Sequence, residues 1–292
     1  MKVEKNIINQ TIQELNTINN IHILKPFKIK KSINELIKLL ENKIKSEEVK
    51  EVKKLAFFHI PKTAGGTITN ILNELVHPDE IYNFRAKPSY SYYIDEFENY
   101  KLKKSLIIGH YSYKIVEEFP EEIEIFTVIR EPIQRILSLY EYAKRTKNHY
   151  LYKIINDNNY TIEDCINNKV SIEFDNNMVR LFAGIDHHFD EIGDNSRIIK
   201  YGNVNKKLLD RALVNIQSKF IHIGFQDELD KTLDFITNFY QKEIPSFKSK
   251  NINTNSHYES RYSIETIEFL KEQNSYDLIL YDKLKSNEEK VI

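Results

Sequence analysis

A lysine just ahead of two glycines, a histidine just past an apolar run, and two arginines with a serine at helical spacing could do chemistry together in this 292-residue chain. The first of them lies in Pro61-Lys62-Thr63-Ala64-Gly65-Gly66, between the apolar run Leu55–Ile60 and a stretch where Ile68, Ile71, Leu72 and Leu75 share one helical face. A glycine-bearing turn from strand to helix aims free N–H groups and the positive end of the helix dipole at one point, which suits a phosphate-like anion. A nucleotide triphosphatase loop places its glycines before the lysine and a magnesium-binding hydroxyl after it. Here Lys62 comes first and Pro61 stands at the last glycine's place, so that match fails.

Two further strand-length runs end in polar residues. Ser105–Gly109 runs into His110-Tyr111-Ser112-Tyr113, which places an imidazole where parallel sheets bind their ligands and where a proton acceptor near neutrality is useful. Taken alone, His110 fits a structural role as well as a catalytic one. His59 lies inside the first run and reads as a core or supporting residue. Ile123–Ile129 runs into Arg130-Glu131-Pro132, after which Ile133, Ile136, Leu137 and Tyr140 mark the buried side of a helix begun by proline. Arg135 and Ser138 are neighbours on that helix and Arg130 precedes it, so the three can converge on one oxyanion as a phosphate-monoester clamp.

Pro61 to Thr67 resembles the first cofactor loop of the nucleotide sulfotransferases, P-K-T-[AG]-[GS]-[TS]-[ST], especially in the carbohydrate branch related to heparan sulfate 2-O-sulfotransferase. Gly66 is the one departure, standing where that family usually has a hydroxyl residue. Gly109-His110 with Tyr113 is similar to that branch's G-H-x-x-[YF], and Arg130 to Ser138 to the family's R-x-P-x-x-R-x-x-S. The resemblance implies an α/β, P-loop-NTPase-like three-layer fold, with a central mainly parallel sheet flanked by helices. It also implies 3′-phosphoadenosine 5′-phosphosulfate (PAPS) as sulfate donor, with no metal. Lys62, Thr63, Ala64, Gly65, Gly66 and Thr67 would then hold the 5′-phosphosulfate, Arg130 and Ser138 the 3′-phosphate, and His110 would act as base. The expected partner is an acceptor hydroxyl on a saccharide. Asp175–Gly184 is similar to a family segment whose arginine lies near acceptor or cofactor, so Arg180 is a candidate contact or a structural residue.

Composition narrows the classes further. Hydrophobic content of 41% supports a real core, and a net charge of −1 provides no global attraction to nucleic acid or anionic membrane. The single Cys165 excludes an intramolecular disulfide, and no Cys/His set has zinc spacing. No apolar run reaches the length of a membrane span, and the opening MKVEKNIINQ lacks the apolar core of a signal peptide. The expectation is a cytoplasmic protein without a membrane anchor.

The elements that must position these residues follow in order. Residues 1–54 form an N-terminal helical extension, with an amphipathic helix from Ser32 through Ile44 lying on the domain or on a partner. Residues 55–292 form one catalytic domain, with further strands at Glu80–Phe84 and Phe220–Gly224, a helix at Glu228–Tyr240 and a final helix pair within Ser263–Leu284. The tyrosine-rich Arg85–Tyr100 and the polar Lys248–Arg261 are expected as loops over the site. An ATP-dependent phosphotransferase and a non-catalytic nucleotide-binding protein are the competing classes. The absent magnesium loop speaks against the first, and the intact Lys62, His110, Arg130 and Ser138 against the second.

Overall fold

The computed structural model describes residues 10–14, 36–38, 53–84, 104–185, 199–244 and 258–288. The chain divides into two units, Met1–Val52 and Lys53–Ile292. In the first, residues 10–14 and 36–38 are helical, and the rest of the expected Ser32–Ile44 helix lies outside the described residues. The expected loops at Arg85–Tyr100 and 248–257 also lie outside them, while Tyr258–Arg261 is a short 3-10 turn.

The second unit is built on five parallel strands, β1 (Lys54–Phe58), β2 (Ile81–Phe84), β3 (Leu106–Gly109), β4 (Ile123–Ile129) and β5 (Phe220–Phe225), in the order β2-β3-β1-β4-β5. β1, β3 and β4 read as almost unbroken apolar runs because parallel strands are covered on both faces. Alternation along β1 sends Ala56 and Phe58 to one apolar cluster and Leu55 and Phe57 to another. This is the three-layer α/β fold expected.

Ten helices are described in this unit. They are α1 (Gly65–Leu75), α2 (Tyr113–Val116), α3 (Pro132–Arg145), α4 (Tyr152–Asp157), α5 (Ile162–Asn167), α6 (Asn177–Phe182), α7 (Lys206–Lys219), α8 (Leu229–Tyr240), α9 (Ile264–Gln273) and α10 (Ser275–Glu288). α1 and α8 pack on the Leu55 side of the sheet, α6, α7 and α10 on the Phe58 side. A third cluster joins α3 to α4, α5 and α9 and buries the unpaired Cys165. No helix among the described residues is long and apolar enough to cross a membrane.

The strand order leaves β1 between β3 and β4, which the chain reaches in opposite directions from it. Ligands of open α/β sheets bind outside the carboxyl ends of the strands at such a switch point. Because all three strands are parallel, Lys62, His110 and Arg130 emerge at that same edge. The backbone continues the ladder past its formal end, His59 donating its N–H to the Gly109 carbonyl at 3.1 Å.

A polar latch ties the C-terminal helices to this scaffold. Asn176, in the left-handed region at φ 44°, accepts with its side-chain oxygen from the N–H groups of Tyr276 and Asp277 at the start of α10. Asp277 in return accepts from the N–H groups of Met178 and Val179 in the first turn of α6. Each helix is thus capped by a side chain from the other, although about a hundred residues separate them. Asn176→Ala should lose about 2–4 kcal/mol of stability, through a lost cap and stranded buried N–H groups. Denaturant unfolding measures it, and a loss below about 0.5 kcal/mol would contradict the latch.

Candidate active site

The loop after β1 is wound tightly. Lys62 and Ala64 are both left-handed, with φ of 73° and 70°, a conformation costing each non-glycine residue roughly 1–2 kcal/mol. Between them Thr63 is fully buried and donates its hydroxyl to the Ile60 carbonyl at 2.8 Å. The expected phosphate contact of Thr63 is therefore corrected for its hydroxyl, which braces the loop from inside; its backbone alone is left for a ligand. Thr67 donates its N–H to the Ala64 carbonyl and is half-buried.

α1 begins at this loop with no side-chain cap and no acidic residue in its first turn. Its leading N–H groups and dipole are thus left for an anion. α3 begins differently, for the Glu131 carboxylate accepts from the N–H groups of Ile133 at 3.1 Å and Gln134 at 2.7 Å. A carboxylate of the protein already caps that helix, so a phosphate near Arg130 must depend on side chains and not on the helix end.

Arg130 reaches across to the first loop, its Nη1 donating to the Lys62 carbonyl at 3.4 Å. The Lys62 ammonium lies 3.8 Å from the centroid of Tyr142, a cation–π contact. Burial lowers the Lys62 pKa to about 8, with repulsion from Arg145 and Arg130 adding to the effect and Glu173 opposing it. Ser138 is 8% exposed, and its hydroxyl makes no hydrogen bond among the described residues. Arg135 does not join the expected convergence. It is fully buried, and its Nη2 donates to the Glu173 carbonyl at 2.7 Å. Helical periodicity turns it inward, where it holds the 172–174 turn.

His110 Nδ1 lies 2.9 Å from the His59 carbonyl oxygen. A carbonyl can only accept, so Nδ1 carries the hydrogen and Nε2 is left with the lone pair. The ring reaches solvent, yet close protein around it draws its pKa below the ordinary 6.5, against the His59 hydrogen bond and Glu173. His110 is thus neutral near neutrality. The His59 ring stacks 4.1 Å from His110 and 5.3 Å from Phe57, and burial, aided by His110 and Lys62, lowers its pKa to about 3. The supporting role read for His59 fits this packing. Gly65 makes room for it, because a Cβ there would stand 1.6 Å from His59 Nε2. A Cβ on Gly66 would meet nothing within 4 Å.

Arg180, a candidate contact from its motif, is 1% exposed and paired with Asp175. Its remaining donors go to the carbonyls of Asp175, Ile199 and Lys200, so the structure corrects it to a scaffold residue. The structure also brings in side chains that sequence reasoning missed: Tyr142, His149, Tyr150 and Glu173. Tyr142 follows Ser138 by one helical turn, a spacing that could have found it. Glu173 and Tyr150 lie in connecting turns that carry no periodic signal. No group of three or more His, Cys, Asp or Glu side chains among the described residues is placed to hold a metal ion.

The parallel α/β sheet thus sets an uncapped lysine loop at its central strand β1, with an arginine loop after β4 on one side and a neutral histidine after β3 on the other. Residues 48–283 match the model of the sulfotransferase family, and the chain belongs to that family. Over 108 residues, 36% of this chain, it is 28% identical to a protein-tyrosine sulfotransferase of Arabidopsis thaliana, and the matched part spans 21% of that relative's length. Among solved structures it is similar to mouse sulfotransferase SULT7A1 complexed with PAP, at a TM-score of 0.38 and 15% identity, over 67% of this chain and 61% of that one.

The two glycines separate packing from binding. Gly65→Ala should displace His59 and with it His110, lowering the melting temperature and abolishing detectable turnover. Gly66→Ser should keep nucleotide affinity within about threefold and raise the melting temperature, since serine costs a helix less than glycine by a few tenths of a kcal/mol. Thermal unfolding and nucleotide titration of both variants measure this, and equal behaviour of the two would contradict the packing role of Gly65.

Proposed function

We propose that this chain transfers a sulfuryl group from PAPS to an acceptor hydroxyl. The observation that carries the reading is the junction of the two loops, Arg130 on the Lys62 carbonyl, beside a histidine whose Nε2 is unprotonated. Family membership supports the donor, and the residues present fit it. The uncapped start of α1 with the N–H groups of Gly65 and Gly66 and the Lys62 ammonium suits the 5′-phosphosulfate. Arg130 and Ser138 suit the 3′-phosphate.

When bound, the donor supplies a sulfuryl group on a phosphate leaving group. His110 Nε2 takes the proton of the acceptor hydroxyl as its oxygen bonds to sulfur. Lys62 and the α1 N–H groups stabilise the charge that collects on the phosphate oxygen as its bond to sulfur breaks. The products are a sulfate ester and 3′,5′-adenosine bisphosphate, with the proton on His110, and the step as written needs no metal ion. A saccharide hydroxyl is the acceptor favoured by the resemblance at Gly109-His110. The plant relative's name makes a phenolic hydroxyl the second class to test.

Both roles predict a bell-shaped kcat/KM. Activity rises with pH through a midpoint below 6.5, where His110 loses its proton and can accept another, and falls through about 8, where Lys62 loses its charge. His110→Ala should lower turnover by about a hundredfold or more and remove the acid limb. Lys62→Ala should lower it comparably, and Lys62→Arg should shift the alkaline limb upward. Retained turnover in either alanine variant would remove that residue's role.

Calorimetry tests the donor. The chain should bind 3′,5′-adenosine bisphosphate well and ATP–Mg weakly, and Arg130→Ala or Ser138→Ala should weaken the bisphosphate by about tenfold or more while leaving adenosine 5′-monophosphate little changed. Preference for ATP–Mg would overturn the proposal in favour of a phosphotransferase.

A further inference from the structure

A row of side chains outside the family motifs runs from Lys62 to Glu173. The Lys62 ammonium rests 3.8 Å from the Tyr142 ring, Tyr142 meets His149 at 5.5 Å between centroids, and His149 meets Tyr150 at 4.8 Å. Tyr150 is 56% exposed, and its hydroxyl donates to Glu173 Oε1 at 2.7 Å. Tyr142 and His149 meet edge to face at 86°, while His149 and Tyr150 lie within 31° of one plane and offer the nearly aligned ring faces, with a carboxylate at the far end.

Glu173 is fixed from several sides. Arg135 donates to its carbonyl at 2.7 Å from the interior, and Ser171 Oγ accepts its N–H at 3.2 Å. Tyr150 bridges Ser171 Oγ and Glu173 Oε1 at 2.7 Å each. So many supports for one half-buried carboxylate hold its position closely. It stands within electrostatic reach of both Lys62 and His110, yet makes no ion pair within 4 Å among the described residues. Its Oε2 makes no hydrogen bond among them either.

The Glu173 charge faces the buried Arg135 guanidinium on its inner side, and on its outer side a negative group beside a site for a polyanionic nucleotide suits the other substrate. A carboxylate oxygen only accepts, so a partner must present O–H or N–H to it and must not present another anion. The aromatic row leading up to it suits the flat face of a ring.

We propose that Tyr142, His149, Tyr150 and Glu173 form the acceptor subsite, which takes an uncharged, polyhydroxylated ring that stacks on the aromatic row and donates a hydroxyl hydrogen to Glu173. Rings carrying a carboxylate or sulfate at that position are turned away. The inference rests on the sulfuryl-transfer reading, which leaves an acceptor to be held beside His110.

The test is calorimetry on the full chain saturated with 3′,5′-adenosine bisphosphate, titrated with para-nitrophenyl glucoside and, separately, with para-nitrophenyl glucuronide. The glucoside should bind tighter by about tenfold or more. Glu173→Gln keeps an oxygen for Tyr150 and should reduce that preference to within about twofold, chiefly by tightening the glucuronide, while the bisphosphate, which Glu173 reaches only through Lys62, tightens by no more than about threefold. Tyr150→Ala, which removes a ring face and one support of Glu173, should weaken the glucoside by about fivefold or more and narrow the preference over the glucuronide. Equal binding of the two glycosides, binding of neither, or a preference that survives Glu173→Gln would overturn the subsite. Failure of the bisphosphate itself to bind would count against the sulfotransferase reading alone, and the same two titrations without nucleotide would then decide the subsite.

Discussion

Parallel pairing of β1 with β3 on one side and β4 on the other constrains everything that happens at this site. Phe58 is in register with both Gly109 and Thr127, and Thr127 secures that register with a buried hydroxyl donated to the Phe58 carbonyl at 2.7 Å. His59 and His110 therefore leave the sheet side by side, and Arg130 leaves it within reach of the loop that carries Lys62. Because these strands are apolar on both faces, an in-out pattern does little to fix their register, and it rests on the fit of the two apolar clusters and on the Thr127 hydroxyl.

The two helices that follow β1 and β4 look equivalent in sequence but differ electrically. α1 keeps its positive end open and has strained left-handed residues leading into it, whereas α3 has its end neutralised by Glu131. An anion on the first loop meets oriented N–H groups and a lysine, while one beside the second meets a guanidinium and a hydroxyl. Burial works on the same groups from another direction, as the neutral His59 and His110 rings stack together and Lys62 is crowded by Arg145 and Arg130. Such a cleft holds its dipoles and charges in place before any ligand arrives, which is the condition for electrostatic catalysis.

Polar residues far from the chemistry keep that arrangement rigid. Asn176 and Asp277 cap each other's helices, Arg180 is committed to Asp175, and Arg135 anchors the turn that bears Glu173. Asn176, Asp277 and Arg180 contribute by being satisfied, and each would be costly to strand, whereas Arg135 anchors its turn through Nη2 alone. Two residues of the recognisable motifs, Arg135 and Thr63, thus support the site from behind and leave contact with ligand to their neighbours.

Local pattern sufficed for the five strands, the lysine loop and the helices at α1, α3, α8, α9 and α10, because apolar periodicity reports which face of each element is buried. The short α2, α4, α5 and α6 were not legible in this way, whereas α7 does carry the pattern, at Leu208, Leu209, Ala212 and Ile216 behind the Asn205 cap. Helices of six residues or fewer are too short to repeat an apolar face. Residue type and spacing marked Lys62, Arg130 and Ser138 as candidates for an anion, and it was the resemblance to the sulfotransferases that joined His110 to them as a proposed set. What only the tertiary structure decided is direction and company. Arg135 and Arg180 point inward, Thr63 spends its hydroxyl on its own loop, His59 selects the tautomer of His110, and Glu173 meets Tyr150 from a turn 23 residues further on. Those outcomes depend on contacts between segments far apart in sequence, and such contacts exist only once the layers have packed.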